Sequence, residues 1–128
     1  MAYKYYQPNK KDLKDTYGDC VIRALTKALN KSWLEVFDEI IPISRELQCP
    51  YGCKPAYETY LKTKGYKWWG LKVEKGKRRL TTKSFCRLYN NGTYILRLSH
   101  HLVTVVDGDY YDTWDSGDKS VYGYWRIS

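Results

Sequence analysis

The sequence predicts an α+β fold in which N-terminal helices pack on a C-terminal antiparallel β-sheet. Three observations predict it. Apolar residues recur at helical spacing through the first two thirds of the chain, and from Thr93 onward the period becomes two. Asp107-Gly108, between two alternating segments, is a strong hairpin signal. The length of 128 residues suits one domain and is short for two. The expectation is a single domain over 1–128, with an arm at 1–17, a mainly helical part at 19–90 and an antiparallel sheet at 93–127.

The elements follow in order. Residues 1–17 read as an extended or irregular arm. Pro8 and Asn9 break any helix there, and Tyr3, Tyr5 and Tyr6 are placed to hold the arm to the body. Asp19 is a candidate N-cap for a first helix through Val21, Ala24, Leu25, Ala28 and Leu29, which puts Cys20 at its first position. Asn30 or Lys31 ends that helix. Ser32 and Glu35 form a capping box for a second, with an apolar stripe of Leu34, Phe37, Ile40 and Ile41 and a kink or division at Pro42. A third helix over 54–64 carries Ala56, Tyr57, Tyr60 and Leu61 and stops at Gly65. Residues 66–73 read as a short strand or a loop. Thr81 or Thr82 caps one more short helix through Phe85, Leu88 and Tyr89, stopped by Asn90-Asn91-Gly92. Strands are expected at 93–98, 101–106, 109–114 and 121–127.

Composition narrows the function classes. Lys and Arg number 22 against 14 Asp and Glu, a net charge of +8. Such a surplus attracts nucleic acid, anionic lipid or acidic protein without choosing among them. No apolar run approaches the ~20 residues a bilayer span needs. The segment Met1–Asp15 is polar and rich in Lys and Tyr, so it does not read as a secretory signal, and a cytoplasmic protein is expected. Without a secreted context the four cysteines, Cys20, Cys49, Cys53 and Cys86, read as free thiols, metal ligands or a catalytic thiol rather than disulfides.

Cys20 is the candidate nucleophile, because a helix N-terminus favours the thiolate through its free N–H groups and dipole. Packing is the commoner use of such a cysteine, and the Asp19 charge opposes the thiolate unless capping consumes it. His100 and His101 are the only histidines. With a two-residue turn at Asp107-Gly108, 106 pairs with 109 and 103 with 112. His101 and Asp112 then lie as diagonal neighbours on one face, where a carboxylate can orient an imidazole. The same register sets His100 opposite Asp115, so alternation alone leaves the pair open.

A Cys at a helix start, a His on a strand much later and an Asp one strand beyond it follow the order of papain-like sites. Gly18-Asp-Cys-Val-Ile-Arg-Ala-Leu25 and His101-Leu-Val-Thr-Val-Val-Asp-Gly-Asp-Tyr-Tyr-Asp-Thr-Trp-Asp115 resemble the Cys and His/Asp boxes of small papain-like cysteine peptidases encoded by bacteria and bacteriophages. The resemblance implies a papain-like fold with Cys20 as nucleophile, His101 as base and Asp112 as orienting acid. It implies an acyl-enzyme on peptide or isopeptide bonds and no cofactor or metal. A protein or peptide would be the substrate, a host protein if the chain is bacteriophage-encoded. The chain departs from that family in one respect. The family places a Gln shortly before the nucleophile as oxyanion donor, whereas here the upstream Gln is Gln7, too far from Cys20 to match that position. The Cys20 N–H and one of Lys14, Thr16 or Tyr17 are the candidate replacements. Arg23, one turn past Cys20, reads as an anchor to an acidic group.

Other features point elsewhere. Cys49-Pro-Tyr-Gly-Cys53, with Cys86, has loose zinc spacing but lacks a fourth ligand unless His100 or a carboxylate serves. Lys72–Arg79, with Trp68 and Trp69 just before, has a composition that can bind single-stranded nucleic acid; two buried indoles next to a solvated turn is the simpler reading. Trp114 and Trp125 read as core. A non-catalytic basic binding or inhibitory protein on the same fold is the alternative function.

Overall fold

The computed structural model describes residues 2–11 and 18–128, which form four helices and six strands. The sheet runs β1 (Tyr3–Tyr5), β5 (Asp109–Asp112), β4 (His101–Val106), β3 (Thr93–Leu98), β6 (Gly123–Arg126), β2 (Trp68–Gly70). It is mixed: β1 pairs parallel with β5, and every other pairing is antiparallel. The expected extended or irregular arm contributes a short edge strand over Tyr3–Tyr5 and is irregular from 6 to 11. The fold is α+β, as the change of period predicts.

Helix α1 (Cys20–Leu29) lies against β4, β3 and β5 and is buried from Val21 through Thr26. Asn30 closes it in the left-handed conformation at φ 56°. Helix α2 (Trp33–Leu47) starts with the capping box that Ser32 and Glu35 encode, both reciprocal hydrogen bonds being present. Pro42 does not divide it. The proline sits inside a continuous helix, its ring on the exposed side where the missing N–H is tolerated. Helix α3 (Lys54–Thr63) packs on α2, and α4 (Thr82–Leu88) is capped by the Thr81 hydroxyl on the Ser84 N–H.

Alternation along the strands sorts the core onto the two sheet faces. Ile95, Leu102 and Trp125 join α1, α2 and α3 in one cluster, while Tyr94, Leu96, Val103, Val105 and Tyr110 surround Phe85 of α4 in the other. Trp68 presses over β6 so closely that a Cβ at Gly123 would collide with its ring. Asp107 and Gly108 both adopt positive φ, as a two-residue hairpin turn of this hand requires. The register is the expected one, with Val106 opposite Asp109 and Thr104 opposite Tyr111.

Three expectations are corrected. β5 stops at Asp112 rather than residue 114, because the Asp112 carboxylate takes the Thr113 N–H at 2.8 Å and turns the chain. Trp114 is consequently outside the sheet and 42% exposed, whereas Trp125 is core. Trp69 is likewise exposed rather than buried. No helix among the described residues is long and apolar enough to cross a membrane.

Candidate active site

The ladder between β4 and β5 ends at Thr104 and Tyr111, and the candidate residues converge where the strands part. Cys20 is the first residue of α1, His101 the first of β4 and Asp112 the last of β5. His101 Nε2 lies 2.6 Å from Asp112 Oδ2. That leaves Nδ1 free to face Cys20, whose thiolate is favoured by the His101 imidazole and by the Leu102 backbone N–H. Sequence reasoning brought these three residues together, and the structure does so in space.

The electrostatics favour an ion pair. Burial pushes the Cys20 thiol up, but the His101 hydrogen bond and charge, the Leu102 N–H and the Arg23 charge outweigh it, so its pKa is lowered. Burial pulls His101 down, and the hydrogen bonds to Asp112 and Cys20 reverse that, pushing it up to about 9. Each partner favours the charged form of the other.

Asp112 is wholly buried and accepts four hydrogen bonds. Arg23 (3.0 Å) and the Thr113 N–H serve Oδ1, and His101 and the Ser116 hydroxyl (2.8 Å) serve Oδ2. Its carbonyl accepts the Tyr6 N–H at 2.9 Å and the Tyr3 hydroxyl at 3.2 Å, so β1 holds the acid in place. Arg23 does anchor α1 to acidic groups: its other nitrogen reaches Asp19 at 2.9 Å. Asp19 makes no side-chain cap, contrary to expectation. Its carboxylate goes instead to Arg23 and the Trp33 indole N–H, and the Arg23 charge offsets its effect on the neighbouring thiol.

His100 sits in the β3–β4 turn at φ 54°, exposed, and Asp115 bonds the Tyr110 hydroxyl at 2.5 Å, so the alternative pair is not assembled. Gln7 Oε1 accepts the Asn9 N–H at 3.1 Å; Lys14, Thr16 and Tyr17 lie outside the described residues. Helix geometry leaves the Cys20 N–H without an intrahelical acceptor, available to an oxyanion. Cys86 is buried among the aromatics around Phe85, and among the described residues no group of three His, Cys, Asp or Glu is arranged to hold a metal ion. Arg79 is not a solvated cation: it donates to the Leu71 carbonyl at 2.9 Å and lies 4.4 Å over the Tyr122 ring.

Sequence reasoning missed Ser116, Trp114 and β1 as parts of this site. The Trp114 ring is 4.9 Å from that of His101, shielding one side of the imidazole. Its place two residues past the acid was the available signal. Two clefts meet at His101. One of about 600 Å³ is lined by Cys20, His101, Tyr57 and Arg97; the other, about 490 Å³, is lined by His101, Trp114 and Asp118 but not by Cys20. Compared with known protein families, curated proteins and solved structures, the chain has no match.

Proposed function

We propose that the protein is a papain-like cysteine hydrolase acting on peptide or isopeptide bonds through Cys20, His101 and Asp112. The observation that carries this reading is the alignment of the Cys20 thiol, the His101 imidazole and the buried Asp112 carboxylate beside an open cleft. Few structural roles require a lowered thiol and a raised imidazole facing each other. In the proposed cycle the Cys20 thiolate attacks the substrate carbonyl carbon, and the oxyanion forms near the Cys20 N–H. His101 gives its proton to the leaving amine as the C–N bond breaks, leaving a thioester. Water, losing a proton to His101, then attacks the thioester and frees the acid and the thiolate. An amine in place of water gives acyl transfer by the same steps.

The test is the pH dependence of alkylation, with peptide mapping of all four cysteines, in wild type and His101→Ala. Cys20 is expected to react first, with a thiolate titrating below the ordinary ~8.5 and moving up when His101 is lost. Cys86 is expected last, since burial pushes it up to about 11. An ordinary Cys20 titration, unchanged by the substitution, would overturn the hydrolase and favour a non-catalytic basic binding protein.

A further inference from the structure

We infer that the acyl side of the substrate is acidic, a peptide with a carboxylate side chain within the three residues before the bond that is cut; this rests on the hydrolase reading above. The two clefts divide the substrate. The acyl group is bonded to Cys20 and so occupies the larger cleft, which Cys20 lines. The leaving amine is protonated by His101 and so departs through the smaller one, which His101 lines and Cys20 does not.

The larger cleft is positive. Lys54 and Arg97 line it together with both histidines, and no Asp or Glu does. The smaller cleft carries Asp118 and Lys119, whose charges offset each other, so the excess of fixed positive charge lies in the larger one. Arg97 is half-buried on β3, with its guanidinium 5.1 Å from the Trp68 ring and 5.9 Å from that of Tyr122. Aromatic faces restrain the planar group without using its hydrogen-bonding edge. Among the described residues neither Arg97 nor Lys54 forms an ion pair, although every acid near the nucleophile is paired. An oriented, unpaired guanidinium in the cleft that the reacting thiol also lines matches a carboxylate by its fork geometry.

The experiment compares peptidyl acyloxymethyl ketones that are identical except for Glu or Gln at each of the three residues before the reactive carbon. The rate of Cys20 labelling is read by mass spectrometry on the intact protein, with iodoacetamide alkylation across pH in parallel. At one position Glu is expected to exceed Gln by on the order of ten- to a hundredfold, the range of a charge-assisted hydrogen bond. The ratio is expected to fall with added salt and to shrink in Arg97→Gln. Should that variant not fold, the wild-type ratio and its salt dependence decide. Glu and Gln probes reacting within about twofold at every position, or neither reacting, would overturn the acidic substrate while Cys20 still shows a low-pH thiolate with iodoacetamide. Absence of that thiolate would overturn the hydrolase itself.

Discussion

The carboxylate of Asp112 accepts four donors, and each fixes a different part of the site. In Asp112→Asn the imidazolium loses its counter-charge. His101, pushed up to about 9 in the native protein, should then titrate nearer its ordinary ~6.5. The sign follows: an imidazolium lost at lower pH no longer stabilises the Cys20 thiolate, so the rising limb of Cys20 alkylation should move to higher pH in the variant. A pH–rate profile of alkylation reads this, and an unmoved limb would show that Asp112 does not hold the proton on His101. Arg23 bridges Asp19 and Asp112 in a site where all three side chains are buried. Arg23→Met should cost about 3–5 kcal/mol, the usual penalty for stranding buried partners of an ion pair, measured by urea denaturation. Helix starts and hairpin registers are local, so spacing narrowed the candidates to Cys20 with His101 and Asp112 or His100 and Asp115, and the resemblance to papain-like boxes selected the first pair. Ser116 was not legible, because its bond to Asp112 depends on a chain reversal that only the fold supplies.

β1 completes the site from the far end of the chain. Its Tyr3 hydroxyl and the Tyr6 N–H that follows it both bind the Asp112 carbonyl. Deleting Ala2–Tyr6 should therefore slow Cys20 alkylation while leaving the helical circular dichroism intact; equal rates would reduce β1 to an edge cover. Helix α2 carries the opposite kind of test, because Pro42 lacks the N–H that its turn would use. Pro42→Ala should stabilise by about 1–3 kcal/mol, seen as a higher melting temperature, without touching the site. Among the elements, the helices and the strand pairs joined by short turns could be read from caps, apolar period and Asp107-Gly108. The β1–β5 pairing could not. A parallel pair between Tyr5 and Asp112, which come from opposite ends of the chain, leaves no turn or cap in the sequence to announce it. The premature end of β5 was hidden for a different reason: alternation continues through Thr113 and Trp114, and only the Asp112 side chain taking the next N–H ends the strand.

Across the whole molecule, net charge of +8 is spread over groups with unequal freedom. Arg23 and Arg79 are engaged internally, and Lys77 pairs with Glu74 at 3.1 Å, whereas Lys54 and Arg97 face the larger cleft without ion-pair partners among the described residues. The charge count was plain in the sequence, but which cations were free was not, because that depends on rings and carbonyls brought in from distant strands. The proposed site is equally distributed, with Cys20 on α1 in the first part of the chain and His101 on β4, beyond every helix. On refolding from urea, Cys20 reactivity should return with the last kinetic phase, after the helical signal; recovery of both together would place the β1–β5 pairing early. During synthesis the same separation becomes a delay. At ~5–20 residues per second, Cys20 emerges about 4–16 s before His101 does. Through that interval the nascent chain carries an ordinary thiol with no base beside it, so the reactive form is born only with the finished sheet.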